Sequence, residues 1–403
     1  MKDKNFFVFI FLISFFLRFL VILFFGDKQL SNEWGVMLNS LVDHNILSVR
    51  EIEGKLVPNL LMPPLYVYFL FIFNIFIKDL SNLIFIILFF QLIISIITIY
   101  FFYLILKKNY SLSIARYATL FFSIFPINIY SVGLISSATL QLFLIVLILY
   151  FFLNLLKKLD NKNILLFSFF SGLLILLRGE FIFFYFFFIT YFFLRKKKIQ
   201  IFFCLLVTLF VISPYLIRNY IIFETLTLTK SFGYNLLKGN NPLSDVDGYL
   251  LMYYNESINN VHNISTGLAE KLSKLKYDPK HDLIVDEMFL NEAIKNIVDN
   301  KFYYTKLYIK KFFSFIFFDL NSDYPRYYNV FHILPKLLLS VFTIFGLIVI
   351  IKRKDYFNFF LLYYFLTIFI FSFFFILPRY SLVLLPFQIF ISIEFLKKLM
   401  SKK

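Results

Sequence analysis

Cysteine is almost absent: Cys204 is the one thiol in 403 residues, which excludes an internal disulfide and any thiolate zinc cluster. Charge is scarce as well. Asp, Glu, Lys and Arg make up 16% of the chain, against about 25% in soluble domains, a deficit that excludes a soluble globular enzyme. With 11 glycines and 11 prolines, the chain is neither collagen-like nor of low complexity. Several catalytic signatures are missing: there is no Walker loop, no dinucleotide glycine pattern, no His-Glu-x-x-His and no Gly-x-Ser-x-Gly. The four histidines, His44, His262, His281 and His332, are scattered through polar segments and read as solvated loop residues rather than metal ligands.

What is present is apolar. Hydrophobic residues form 60% of the chain, with 62 Phe, 27 Tyr and a mean hydropathy of +0.80. Such content must be buried in lipid or protein, and a membrane helix needs roughly 17–25 apolar residues. Runs that fit lie near 6–25, 82–106, 114–131, 138–156, 164–178, 180–194, 200–217, 333–351, 356–376 and 380–396. The first follows Lys2 and Lys4 like a signal peptide, but it is long and no small-residue cleavage site follows, so an uncleaved first helix is expected.

The net charge of +16 does not form a nucleic-acid face, because the basic residues sit in short clusters between apolar runs. Lys107/Lys108, Lys157/Lys158/Lys162, Arg195 to Lys198, Lys352/Arg353/Lys354 and Lys397/Lys398/Lys402/Lys403 are nearly free of acids, whereas residues 218–310 hold 11 basic and 11 acidic groups. The clusters therefore face the cytoplasm. Parity then demotes two runs: 63–77, which has only 15 residues and opens with Pro63-Pro64, and 307–320, which ends at Asp319. The expected architecture is an all-α polytopic membrane protein of about ten transmembrane helices with both termini inside. Residues 1–217 form an N-terminal membrane module with a first outer loop at 26–62, residues 218–306 a small outer-face cap, and residues 307–403 the C-terminal membrane helices. Apolar residues at 290, 293, 294, 297 and 298 mark a helix in the cap. No internal or inverted repeat stands out.

Charge at membrane depth costs at least ~2.5–3.5 kcal/mol, so charged and amide groups ending apolar runs on the outer side are informative. Four places qualify. In Asn32-Glu33-Trp34 the carboxylate can be a general base, or a solvated loop acid beside an interfacial Trp. In Leu177-Arg178-Gly179-Glu180 the guanidinium can hold a phosphate bidentately, or the turn is a neutralised ion pair. The stretch Pro214-Tyr215-Leu216-Ile217-Arg218-Asn219-Tyr220, continuing through Gly233-Tyr234-Asn235 to Gly239-Asn240-Asn241-Pro242, offers amides to sugar hydroxyls or phosphate oxygens; turn formation explains Gly-Asn-Asn-Pro equally well. In Leu377-Pro378-Arg379-Tyr380 the arginine is either a ligand or a snorkelling side chain.

Taken in order, with Met62-Pro63-Pro64-Leu65-Tyr66 between the first two, these motifs resemble the bacterial relatives of the dolichyl-phosphate-mannose protein mannosyltransferases, membrane glycosyltransferases of GT-C fold. The resemblance runs from about residue 6 to 396. It implies a GT-C-like helical bundle in the bacterial inner membrane that moves a sugar, with inversion, from a polyprenyl-phosphate carrier to an acceptor at the periplasmic face. The acceptor is lipopolysaccharide, another glycolipid or a protein, and neither sugar nor acceptor is legible. By the same resemblance Glu33 falls at the catalytic loop acid, Arg178, Arg218 and Arg379 at the donor phosphate, and Asn219, Asn235, Asn240, Asn241 and Tyr380 at the substrate.

The motifs depart from the family in three places. Asn32 stands where many relatives carry Asp, which leaves Asp27 and Asp43 as reserve acids. Ser137-Ala138 replaces a common Ser-Glu, and Gly179 a common Pro. No metal ligands are assigned; a divalent ion stays possible, although Glu33 alone is a poor site for one. Two other functions fit a polytopic chain: a lipid or sugar transporter, which should show repeats and charges at mid-membrane, and an inactive GT-C-like scaffold.

Overall fold

A computed structural model describes residues 3–194, 198–249, 266–319, 329–351 and 357–400. His262 and the basic groups 195–197, 352–354, 402 and 403 lie outside the described residues. The chain begins with α1 (Asp3–Phe25), α2 (Glu33–His44), a two-residue hairpin β1 (Glu51–Ile52) and β2 (Lys55–Leu56), and α3 (Leu65–Phe76). The hairpin turns at Glu53 (φ 50°) and Gly54 (φ 75°), the two left-handed positions that a tight turn of right-twisted strands requires. There follow α4 (Leu80–Asn109), α5 (Leu112–Ile124), α6 (Pro126–Tyr130), α7 (Ala138–Lys157), α8 (Asn161–Leu177), α9 (Phe181–Leu194) and α10 (Lys198–Phe223). The cap and C-terminal part contain α11 (Phe232–Gly239), α12 (Thr266–Ser273), α13 (His281–Asp299), α14 (Lys301–Ile316), α15 (Val330–Ile350), α16 (Phe357–Ser372) and α17 (Leu385–Met400).

Every expected crossing contains helix. Among the described residues five helices, α1, α4, α7, α10 and α15, are long and apolar enough to span a bilayer alone, and α5 with α6 makes a sixth if the bent pair is one span. The two demoted runs also form helices: α3 has 12 residues and α14 has 16. At about 1.5 Å per residue α3 reaches only ~18 Å, short of a ~30 Å hydrocarbon core. Large apolar side chains point outward from the bundle, Phe210 at 77% and Phe24 at 71% exposure among them, as a lipid-facing surface requires.

One end of the bundle collects the basic residues. Lys107 and Arg116 both pair with Asp3, Lys108 donates to Asn154, Lys157 donates to the carbonyl of Lys108, and Lys397 stands over the Tyr110 ring at 5.3 Å. At α8 the backbone packs directly on α10, because a Cβ on Gly172 would lie 2.8 Å from Val211; small residues permit this close approach between membrane helices.

The sixth candidate span is broken for a local reason. Pro126 has no N–H and frees carbonyls of the preceding turn, and α5 and α6 meet at 55°. Asn128 Nδ2 donates to the Phe122 carbonyl at 2.9 Å, and the fully buried Arg18 of α1 donates to Ser123 O at 3.0 Å and, through Nε, to Ser95 Oγ at 2.8 Å. The mid-helix arginine thus satisfies backbone that lipid cannot solvate. The break delivers the chain into a loop, 131–137, on which the outer site is built.

Candidate active site

Glu33 opens α2 and is held by the residue before it. Asn32 caps the helix, its Oδ1 accepting from Gly35 N at 3.2 Å, while its Nδ2 donates to Ile135 O at 3.0 Å. An aspartate could accept but not donate, so the amide that departs from the family pattern bolts α2 to loop 131–137. Gln91 holds the same loop from the other side, donating to Leu134 O at 2.8 Å and accepting from the Tyr66 hydroxyl at 3.1 Å. Trp34 is buried at 6% exposure with its ring 5.1 Å from that of Tyr66. It is a packing residue, and the interfacial anchor expected from sequence is corrected.

The reserve acids are differently placed. Asp27 accepts from Ile135 N at 2.8 Å and supports the loop. Asp43 is exposed near the opposite end of α2. Glu33, half-buried at the start of the helix, acts instead on Lys238.

Arg178 ends α8, where its amide closes the last turn on Leu174 O at 2.9 Å. Its Nε donates to Glu180 Oε1 at 2.7 Å, and its guanidinium lies over Tyr380 at 5.3 Å from the ring centroid. Tyr380 touches Phe375 (5.9 Å), and Lys238 stands over the other partner of that pair, 4.6 Å from the Phe375 centroid. Two cations therefore share one aromatic pair. Burial pushes the Lys238 ammonium below its usual range; Glu33 pulls it back up, Arg379 pushes it down and Asp247 pulls it up. Glu33, Arg178, Lys238, Arg379 and Tyr380 thus form one electrostatic and aromatic neighbourhood. Within two turns of Arg178 on either side, Ser171, Leu174, Phe181 and Phe184 line a narrow apolar crevice closed by Tyr363 and Ile145.

Arg218 sits elsewhere. Its Nη1 donates to Asn59 O at 2.9 Å and to Asn219 Oδ1 at 2.8 Å, with the rings of Tyr215 and Phe223 beside it. Asn219 Nδ2 in turn donates to Thr227 O at 2.6 Å. Asn240 and Asn241 are buried and turn inward. Asn240 donates to Leu236 O and Phe373 O, both at 2.8 Å; Asn241 donates to Leu237 O at 3.0 Å and accepts from Leu243 N at 3.0 Å. These three amides hold backbone, because each lies under the chain's own carbonyls. Asn235 is half-buried with no side-chain bond among the described residues.

Behind this turn Lys311, fully buried in α14, donates to Gly239 O at 2.6 Å, and burial pushes its ammonium down to about 7. The cap is pinned by carboxylates. Asp286 accepts from Tyr234 N at 3.0 Å and Asp282 from Leu60 N at 2.7 Å, with Arg50 3.5 Å from Asp282. Gly233 has no alternative, since a Cβ there would lie 2.0 Å from Asp286 O. His281, expected in solvent, is 1% exposed at the start of α13; the helix packs it beneath the first outer loop. Among the described residues no three His, Cys, Asp or Glu side chains gather as a metal site would need.

Lys238 escaped the sequence reading. Its one signal was position: a cation immediately before Gly239-Asn240, in a stretch otherwise read for its amides.

Comparison with known proteins bears on family and fold. Residues 62–217 match the dolichyl-phosphate-mannose-protein mannosyltransferase family. No curated protein sequence matches the chain significantly. Among solved structures, the Archaeoglobus fulgidus oligosaccharyltransferase tethered with an acceptor peptide is similar in fold, with a TM-score of 0.54 at 14% identity over 99% of this chain and 50% of that one. The chain thus spans about half the length of that structure. By its segment 62–217 the chain is similar to the dolichyl-phosphate-mannose-protein mannosyltransferase family, and its apolar, helical architecture has the GT-C fold of that oligosaccharyltransferase.

Proposed function

We propose that the chain transfers a sugar from a polyprenyl-phosphate carrier to a hydroxyl of a glycolipid or protein at the periplasmic face of the bacterial inner membrane, in a single inverting displacement. The observation that carries the reading is that Glu33 and Arg379 act on Lys238, which shares the Phe375–Tyr380 ring pair with Arg178, at the end of the bundle opposite the basic clusters. Glu33 takes the proton of the acceptor hydroxyl. Its oxygen forms the bond to the anomeric carbon as the carbon–oxygen bond to phosphate breaks, and that electron pair leaves on the phosphate oxygen. Arg178 and Arg379 stabilise the charge that develops there.

In this reading Arg218, Asn219, Asn240 and Asn241 position the site, Asn235 and Tyr380 face the substrate, and ten crossings leave both termini in the cytoplasm. Residues 1–217 hold the acid and Arg178, residues 218–306 form the cap, and residues 307–403 supply Arg379. The test is purified protein in lipid vesicles with a polyprenyl-phosphate sugar and membrane acceptors, the anomeric configuration of the product being read by NMR. Inverted product supports the reading. Retained configuration, or transfer only from a nucleotide sugar, overturns it.

A further inference from the structure

Lys238 is a cation without a matching acid bond. No hydrogen-bond acceptor among the described residues takes its ammonium, which instead lies 4.6 Å above the Phe375 ring. Its backbone, by contrast, is thoroughly held: its carbonyl accepts from Tyr249 N at 3.0 Å and Ser244 Oγ at 2.8 Å, and the next carbonyl is taken by Lys311. Lys311 is the useful contrast. It is a lysine whose buried ammonium has found its carbonyl partner, whereas Lys238 is anchored by its backbone and leaves its ammonium available. The Phe375 ring in turn touches Tyr380, which Arg178 covers at 5.3 Å. Glu33 and Arg379 both act on the Lys238 charge.

We propose that Lys238, which shares the Phe375–Tyr380 ring pair with Arg178, is a further ligand of the donor phosphate, so that it holds the carrier headgroup and neutralises the leaving oxygen. This rests on the transferase reading above. The chemistry suits an ammonium at that point. A compact charge with rotatable donors contributes to an anion site without demanding one orientation, where a guanidinium's planar fork does demand one. The aromatic face of Phe375 steadies the ammonium without consuming its donors.

The test uses the full chain in detergent and in vesicles, with farnesyl phosphate as the binding probe and a polyprenyl-phosphate sugar as the substrate. Lys238→Gln should weaken farnesyl phosphate roughly tenfold or more, in line with losing a hydrogen bond between charged groups, while Lys238→Arg should stay within about threefold. In transfer, an alkaline fall in kcat/KM belongs to Lys238, because the bound charge exists only below its lowered pKa. Lys238→Arg should move that fall to higher pH, an effect that a structural lysine would not produce. Equal farnesyl phosphate binding by wild type and Lys238→Gln overturns the proposal, as does an alkaline limb unmoved in Lys238→Arg. If the wild type binds farnesyl phosphate through Lys238 yet transfers no sugar, the transferase reading fails and the phosphate site stands.

Discussion

Glu33 is one of five acids in the first outer loop, and what separates it from the two reserves, Asp27 and Asp43, is company. Asp27 is committed to the Ile135 amide and Asp43 points to solvent near the far end of α2. Only Glu33 shares its surroundings with the cations of the outer site. Positioned proton transfer is worth about 10²–10⁴ in rate, so Glu33→Gln is expected to cut turnover by that factor in reconstituted vesicles, with unchanged membrane expression and thermal stability. A normal rate would return the search to the reserve acids. Glu33 was legible from its place at the end of an apolar run. Its isolation from Asp27 was not, because Asp27 is engaged by a residue 108 positions along the chain.

Two helix ends carry the arginines, and they differ in kind. Arg178 ends α8 with a single acid partner and a ring beneath it, whereas Arg218 lies inside α10 and already bonds to Asn59 O and Asn219. Replacing a forked guanidinium by lysine keeps charge and loses geometry. Arg178→Lys should therefore raise KM for the carrier lipid about tenfold or more with little change in melting temperature, while Arg218→Lys should lower melting temperature and leave KM nearly unchanged. Equal effects on KM would place both at the phosphate.

Helix α13 gives a pH prediction. Burial, reinforced by Arg50 and opposed by Asp282 and Asp278, lowers His281 to about 4 from 6.5, and neither ring nitrogen has a hydrogen-bond partner among the described residues. A histidine lowered by folding stabilises the fold above its free value, and that contribution is lost as pH falls from about 6.5 toward 4. Hydrogen exchange of α13 amides, corrected for intrinsic rates, should rise on the order of tenfold between pH 7 and pH 5, and His281→Phe should flatten that dependence. The signal for a buried His281 was absent from sequence: its neighbours Lys280 and Asp282 are charged, and only the cap's packing encloses it.

For the molecule as a whole, sidedness is the central prediction. Asp3, Lys107, Lys108, Arg116, Lys157 and Lys397 gather at one end and Glu33, Arg178, Lys238 and Arg379 at the other. In a Cys204→Ala background, single cysteines at Glu270 and Lys274 should react with an impermeant maleimide in intact cells, and those at Lys108 and Lys398 only after permeabilisation. The reverse pattern would put the site on the cytoplasmic face and remove the reading built on it.

The membrane class and the run of helices were legible because they depend on local quantities, the length of an apolar stretch and the charge of a short loop. The turn at Arg178-Gly179 belongs to that group, since it is set by residues within a few positions; the break at Pro126 is equally local but falls inside the run 114–131, which the sequence reading keeps as one crossing. Tertiary structure alone decided which polar groups face a substrate and which hold the chain. Asn240, Asn241, Asn219 and Arg218 carry the same donors as a binding site would, but their partners are carbonyls brought near by folding, Phe373 and Asn59 among them. Lys238 became a site residue for the same reason. The Phe375 ring it covers and the charges around it come from segments far apart in sequence, and a side chain's chemistry is completed by what the fold sets opposite it.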